Sequence, residues 1–316
     1  MLARTAEQLY WIGRNLERIE NTARMVSVYS NLLLDLPRGI KVGWDALITI
    51  TGSNEIFAKQ YQRMDERNVV KFMLADQINP GSVRTSIAFA REGARVSREI
   101  IPMESWEQIN RLYLYVNSSS EAAVSRHKRD QFLQDIVLAC QQLTGVVNDG
   151  MSHDLAYYFL NIGRYIERAD MSTRIIDAGA ADLLIDREKI GVTASAAAYE
   201  SILWMNVLRS LSGYQIYRQH VKDRVNGEDV VIFLLRDSRF PRSVSYCVNK
   251  LSVSFRQLPR FEKVVRDTTK LQRTIKNAKV EKLIVKGLPE YIDKLQLQIA
   301  EIHNRMNETW FISGEK

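Results

Sequence analysis

Apolar residues recur at three- and four-residue steps along nearly the whole chain. Leu9, Ile12, Leu16, Ile19, Ala23 and Val26 form one such ladder, which stops before Pro37-Arg38-Gly39. That spacing lines one face of a helix, and the proline-glycine cluster is a stop signal. The same periodicity predicts helices over Trp44–Tyr61, Pro80–Ile100, Glu104–Tyr115, Asp130–Val147 and Leu155–Leu184. It continues over Ala196–His220, Pro241–Leu258, Phe261–Val285 and Pro289–Trp310. The short apolar runs Val69–Leu74 and Val230–Leu235 would suit strands on periodicity alone. With no neighbouring strand candidates to pair with, they read as buried helical turns. The expected fold class is all-α.

Comparing the chain with itself reveals a repeat. Ile12-Gly13-Arg14-Asn15-Leu16-Glu17-Arg18-Ile19-Glu20-Asn21-Thr22-Ala23-Arg24 returns 150 positions later as Ile162-Gly163-Arg164-Tyr165-Ile166-Glu167-Arg168-Ala169-Asp170-Met171-Ser172-Thr173-Arg174, with six of thirteen positions identical. A second block, Asn68–Val83, returns 161 positions later as Asp229–Val244, sharing Val69/Val230, Phe72/Phe233, Asp76/Asp237, Pro80/Pro241 and Ser82/Ser243. The two offsets imply an eleven-residue insertion, placed in the Ala-rich Asp177–Tyr199 region. A doubled helical unit, residues 1–150 and 151–316, accounts for both. Each copy opens with an amphipathic helix whose apolar stripe needs a partner. The expected architecture is one compact bundle of two halves related by a pseudo-two-fold axis, with no Gly/Ser- or Pro-rich linker between them.

Composition narrows the class. The chain has 316 residues, 46% apolar and 26% charged, with six prolines and fifteen glycines, which excludes wholesale disorder. Val230–Leu235 is the longest clean apolar run, far short of the about 20 residues that span a bilayer. The first residues show no secretory pattern, so a soluble protein without a leader is expected. Cys140 and Cys247 are isolated thiols, which excludes a zinc ribbon or disulfide scaffold and suits a reducing, cytoplasmic compartment.

The formal net charge is +7, and the segment Arg256–Leu288 carries the excess, with ten basic residues against Glu262, Asp267 and Glu281. Within it Lys263, Arg266, Lys270 and Arg273 share one helical stripe, while Val264, Val265, Leu271 and Ile275 supply the buried side. A solvated face explains such a stripe simply. A dock for an acidic partner is the sharper reading. Nucleic acid fits less well, because no aromatic residue interleaves the stripe after Phe261.

The repeated polar residues have two readings. Gly13, Glu17, Glu20 and Arg24 fall in one helical stripe, as do Gly163, Glu167, Asp170 and Arg174. Glycine inside a helix costs about 1 kcal/mol relative to alanine, so its presence twice suggests close helix approach or a ligand near the backbone. In the structural reading, Glu17/Arg18 and Glu167/Arg168 bridge neighbouring helices and fix their register. In the functional reading they line a cavity between the halves, where arginines grip a carboxylate or phosphate and a glutamate moves a proton. A metal is a poorer fit, since no Glu-x-x-His accompanies the acids and arginines adjoin them.

In the second block, Asn79-Pro80 and Pro241 read as helix starts, with Asp76, Ser82, Asp237 and Ser243 satisfying free amides. Arg242 beside Ser243 would make that start attractive to an anion. Arg84, Arg91, Arg95 and Arg98 share a stripe suited to oxyanion binding, or to water. His127, His153, His220 and His303 have no metal-ligand spacing, and neither a phosphate-cradling glycine loop nor a Gly-x-Ser-x-Gly turn occurs. No metal or cofactor is expected.

Taken together these motifs resemble the alpha-E family, bacterial all-helical proteins named for a recurring Glu-Arg motif. The carriers are Leu9–Arg24, Asn79–Val83 with Ala90–Arg95, Ile162–Asp170 and Phe233–Val244. Gly93 departs from the pattern, since the family usually has asparagine there. The resemblance implies context more than chemistry: companionship with circularly permuted ATP-grasp ligases, often with transglutaminase-like proteins, in ATP-dependent amide or peptide bond formation. Carried onto this chain, it marks Glu17, Arg18, Arg24, Glu167, Arg168, Arg91, Arg95, Asp237 and Arg242 as the functional set. Three roles follow. One is an accessory or substrate-presenting partner holding an anionic group between its halves, with Arg18, Arg24, Arg168, Arg91, Arg95, Asp237 and Arg242 as its binding residues. Another is an acyl- or phosphoryl-transfer enzyme with Glu17 or Glu167 as base. The third is a scaffold docked through Lys263, Arg266, Lys270 and Arg273.

Overall fold

The first apolar ladder folds as α1 (Ala3–Asp35). The structure, a computed structural model, describes residues 1–35, 43–190 and 194–312, and their side chains outside 33–35, 181–190 and 194–199. The Pro37-Arg38-Gly39 stop lies outside the described residues, as do residues 191–193 of the region expected to hold the insertion. After α1 come α2 (Asp45–Ile50), α3 (Asn54–Gln60), α4 (Glu66–Leu74), α5 (Val83–Val96), α6 (Met103–Ser119) and α7 (Arg126–Gly150). Then follow α8 (Leu155–Ile190), α9 (Ala194–Ser210), α10 (Tyr214–His220), α11 (Gly227–Arg236) and α12 (Val244–Phe255). The chain closes with α13 (Glu262–Lys276), α14 (Val280–Val285) and α15 (Leu288–Met306), capped by a π-turn at Asn307–Phe311. No strand occurs among the described residues, so the protein is all-α, and the runs at Val69 and Val230 are helical as expected.

Three predicted helices break where the backbone demands it. Trp44–Tyr61 divides into α2 and α3 at Gly52, whose φ of +64° favours glycine. Ala196–His220 divides into α9 and α10 at Ser212-Gly213, and Phe261–Val285 into α13 and α14 after Asn277. The prolines also sit differently from expectation. Ser82, not Asn79, is the N-cap of α5, and Ser243 that of α12, accepting from the Thr85 and Tyr246 amides. Pro80 and Pro241 lie in the turn before. There Ser82 Oγ donates to the Asp76 carbonyl and Ser243 Oγ to the Asp237 carbonyl.

The helices pack in a matching order in the two halves. Helix α1 packs on α5 and α7 as α8 packs on α12 and α15, and α6 bridges α5 and α7 as α13 bridges α12 and α15. The most extensive packing is between α1 and α8, which run through one continuous apolar core. Leu9, Ile12, Ile19 and Val26 are fully or almost fully buried there, along with Ile162, Ile166 and Ile176. Burying each such side chain stabilises the fold by about 1.5–3 kcal/mol before entropy is counted.

Candidate functional site

Helices α1 and α8 touch backbone to backbone at the two repeated glycines. A Cβ on Gly13 would collide with the Leu160 carbonyl oxygen, and one on Gly163 with the Tyr10 carbonyl oxygen. With the axes this close, residues one turn further along meet across the crossing. Glu17 and Glu167 are both 2% exposed, and each reaches the arginine that follows its counterpart. Arg168 donates from Nε and Nη2 to the two oxygens of Glu17 at 2.8 and 2.6 Å. Arg18 donates from Nε and Nη2 to the two oxygens of Glu167 at 2.6 and 3.1 Å. Both are fork-on-carboxylate pairs, the strong geometry for this interaction.

Around these reciprocal pairs the two sides differ. Arg242, delivered by the turn before α12, donates to Glu17 at 3.0 Å, Glu20 at 2.7 Å and Asn21 at 2.5 Å. The position matching Arg242 in the first half is Gly81, so Glu167 has no such third-element partner. Arg14 fills that role from α1, with Nε 2.7 Å from Glu167. Its counterpart Arg164 is left over. It lies over the Tyr165 ring, bonds the Tyr165 hydroxyl at 3.2 Å, and its buried Nε has no partner. Arg24 grips Glu20 at 2.8 Å, and Arg174 grips Asp170 at 3.0 Å.

The electrostatics favour full ionisation. Burial pushes the Glu17 carboxyl up, but the Arg168 and Arg242 guanidinium groups more than offset this and hold it at about 2. Burial acts likewise on Glu167, and Arg14 and Arg18 bring it below the usual carboxylate range. The space beside Glu17, walled by Gly13, Leu16, Cys140 and Arg164 among others, is about 20 Å³. That is room for about one water.

Beyond Arg14 the crossing opens. A groove of about 540 Å³ lies between Arg14, Asp170 and Arg174 on one wall and Asp293, Gln296 and His303 of α15 on the other. At its edge the buried Tyr10 hydroxyl lies 2.6 Å from His303 Nδ1 and 3.3 Å from Arg14 Nη1. Burial raises the Tyr10 phenol to about 12, and burial together with Arg14 lowers the His303 imidazole.

Of the residues singled out in the sequence, Glu17, Arg168, Arg242 and Arg24 gather on one side of the crossing, and Glu167 and Arg18 on the other. Three others stand apart. Arg91 is held on α6, between the Trp106 and Tyr113 rings, with Nε donating to Asn110 at 2.8 Å. Arg95 is exposed and paired with Glu92 at 2.7 Å. Asp237 accepts from the Arg239 and Phe240 amides, both at 2.7 Å, and so shapes the turn that presents Arg242. Gly93 packs on Ile12, whose Cγ1 would be 2.9 Å from a Cβ there. An asparagine at this position would have to displace α1's own side chain. Arg266, Lys270 and Arg273 line an open groove on α13, but Lys263 does not.

Arg14, Asn21, Tyr10 and His303 also belong to this centre, although helical spacing does not single them out. Arg14 carried a signal, being identical to Arg164 in the repeat. His303 carried none, since its partner Tyr10 is 293 residues away.

The chain is similar to known proteins along nearly its whole length. Uncharacterised proteins of Mycobacterium bovis and of two Mycobacterium tuberculosis strains are each 24% identical over 329 aligned positions, which cover 96% of the chain. The chain spans about a third of their length, 36%. No solved structure matches. A family model described as a predicted alpha-helical domain with a conserved ER motif matches residues 1–311, so the chain belongs to the Alpha-E family.

Proposed function

We propose that this protein is an accessory, substrate-presenting component of an ATP-grasp-dependent system that forms or modifies amide or peptide bonds. The observation that carries the non-catalytic half of this reading is the state of the two motif glutamates. Both oxygens of Glu17 and of Glu167 accept from arginines, and the space at Glu17 holds about one water. A general base needs a free lone pair within reach of substrate and a pKa near the working pH. Glu17 has no room beside it for a substrate to reach its remaining lone pair, and its pKa is held at about 2. In this reading the Glu-Arg motif locks α1 to α8, and an anionic group binds where the crossing opens, against the guanidinium edges of Arg14 and Arg174. The ligase, with a transglutaminase-like protein beside it, comes from the family resemblance, and a cytoplasmic setting from the isolated thiols Cys140 and Cys247. The matching helix order and the reciprocal ion pairs support a doubled helical unit as the origin of the two halves.

The test is reconstitution with the ligase. Glu17→Gln combined with Glu167→Gln is expected to lower the melting temperature sharply while leaving ligase turnover normal at temperatures where the variant is folded. Arg174→Gln is expected to leave stability nearly unchanged and to raise the substrate KM. Turnover by the purified protein alone, abolished by Glu167→Gln without loss of stability, would overturn the reading in favour of an enzyme.

A further inference from the structure

The basic segment forms a groove rather than a stripe. Helix α13 supplies Arg266, Lys270 and Arg273 along one wall. The opposite wall, from the start of α14 into α15, supplies Lys279, Lys282, Lys286 and Lys294. All seven are exposed, and between them lies an open volume of about 850 Å³. Its floor is apolar, made of Val265, Ala278, Leu283 and Tyr291.

Little acid opposes these cations. Glu262 stands at one end of the lining, and Glu301 lies 3.5 Å from Lys270. Among the described residues the other six cations have no carboxylate within ion-pair distance. Seven like charges facing one another across a cleft repel, and an apolar floor left in water adds to the cost. A partner with complementary chemistry removes both penalties.

We propose that this groove docks an acidic segment of another protein, an extended stretch in which Asp or Glu alternates with aliphatic residues. Carboxylates would meet the lysine and arginine rims, and the aliphatic side chains the Val265–Leu283 floor. Lysine dominates the rims, and its flexible point charge follows a mobile peptide without demanding one fixed geometry. A nucleic-acid strand fits less well. Tyr291 is the lone aromatic in the lining, is half-buried, and donates its hydroxyl to the Thr274 carbonyl at 3.1 Å. The stacking platform that single strands use is therefore missing. This inference stands apart from the ligase reading, since it concerns a different face and needs no ligase to test.

The probe is a short fluorescein-labelled peptide of alternating glutamate and leucine, titrated against the full chain by fluorescence anisotropy. Its glutamine-for-glutamate version and a single-stranded oligonucleotide of equal charge serve as comparators. The acidic peptide is expected to bind, the glutamine version not, and added salt to weaken binding. Arg273→Glu with Lys282→Glu, one change on each wall, is expected to weaken binding about tenfold or more. Arg111→Glu with Lys128→Glu, exposed on α6 and α7, is expected to change it less than about twofold. Should the first variant misfold, Lys282→Gln with Lys286→Gln replaces it. Equal loss in groove and control variants overturns the proposal, as does equal binding of the glutamine peptide. Displacement of the bound peptide by the oligonucleotide at lower concentration assigns the groove to nucleic acid instead.

Discussion

Gly13 and Gly163 are the reciprocal contact points of the α1–α8 crossing, each facing the carbonyl three residues before the other. Leu160 lies three residues before Gly163, and Tyr10 three before Gly13. Neither helix can yield without moving its own hydrogen-bonded backbone, so a methyl group cannot be absorbed by a side-chain shift.

Gly13→Ala or Gly163→Ala is therefore expected to destabilise the protein by about 2 kcal/mol or more, despite alanine's better helix propensity of about 1 kcal/mol. Gly145, in the C-terminal part of α7, is the contrast, since a Cβ there meets nothing within 4 Å. Gly145→Ala is expected to stabilise by about 0.5–1 kcal/mol. Urea denaturation of the three variants checks both signs. Equal effects at all three positions would show that the crossing is looser than described.

The Glu17–Arg168 pair is expected to be costly to break and cheap to replace. Arg168→Met alone leaves a 2% exposed carboxylate with Arg242 as its remaining arginine, a loss of about 3 kcal/mol or more. Glu17→Leu with Arg168→Met removes both charges and is expected to cost less than the two single changes summed. A double-mutant cycle measured by chemical denaturation gives the coupling directly. Additive losses would mean the two groups do not interact.

How far the sequence foretold this centre depends on which contacts are local. The ladder Leu9–Val26 predicted α1 because helical periodicity is written within one segment, and the repeat predicted that Glu17 and Glu167 would be treated alike. Two rows of periodic residues cannot state which of four arginines each glutamate will take. Arg242 won Glu17 because the Asp237–Ser243 turn aims it at α1, 225 residues away in sequence. That displaced Arg164 onto Tyr165 and broke the symmetry the repeat implied. The basic stripe was visible on α13, but its opposing wall needed the turn between α14 and α15, where Gly287 adopts φ +99°.

Acid and alkali are expected to act through different residues. Glu17 is held at about 2 against an ordinary 4.5, and Glu167 is also lowered. The native state thus binds fewer protons than the unfolded chain, so their stabilisation is present above about 4.5 and fades as pH falls towards 2. The lowered His303 adds an earlier loss that begins as pH falls below 6.5. Tyr10 works in the opposite sense. Its phenol is raised to about 12, so its contribution is complete below 10 and declines between 10 and about 12. Melting temperatures across pH, for the wild type, His303→Gln and Tyr10→Phe, separate these limbs. His303→Gln should flatten the slope just below 6.5. Tyr10→Phe should make the alkaline limb shallower without abolishing it, since burial also raises Cys247, Tyr217 and Tyr291 to about 12.

Both thiols are expected to be silent in the folded protein. Cys140 lies under Leu16, and Cys247 faces the Pro241 carbonyl behind the Arg242 turn. Burial raises both, Cys247 to about 12, so almost no thiolate exists at neutral pH, and a reagent would also have to enter the core. Titration with a disulfide reagent should find neither cysteine in native buffer and both in denaturant. The rate of the native reaction is then a probe of the crossing itself. Cys140 shares its small cavity with Glu17 and Arg164, so local opening there exposes the thiol and unlocks the ion pairs together. Arg168→Met should accordingly speed Cys140 labelling well before it produces detectable global unfolding. Labelling that tracks only global unfolding would mean that the Glu-Arg lock and the core open as one unit.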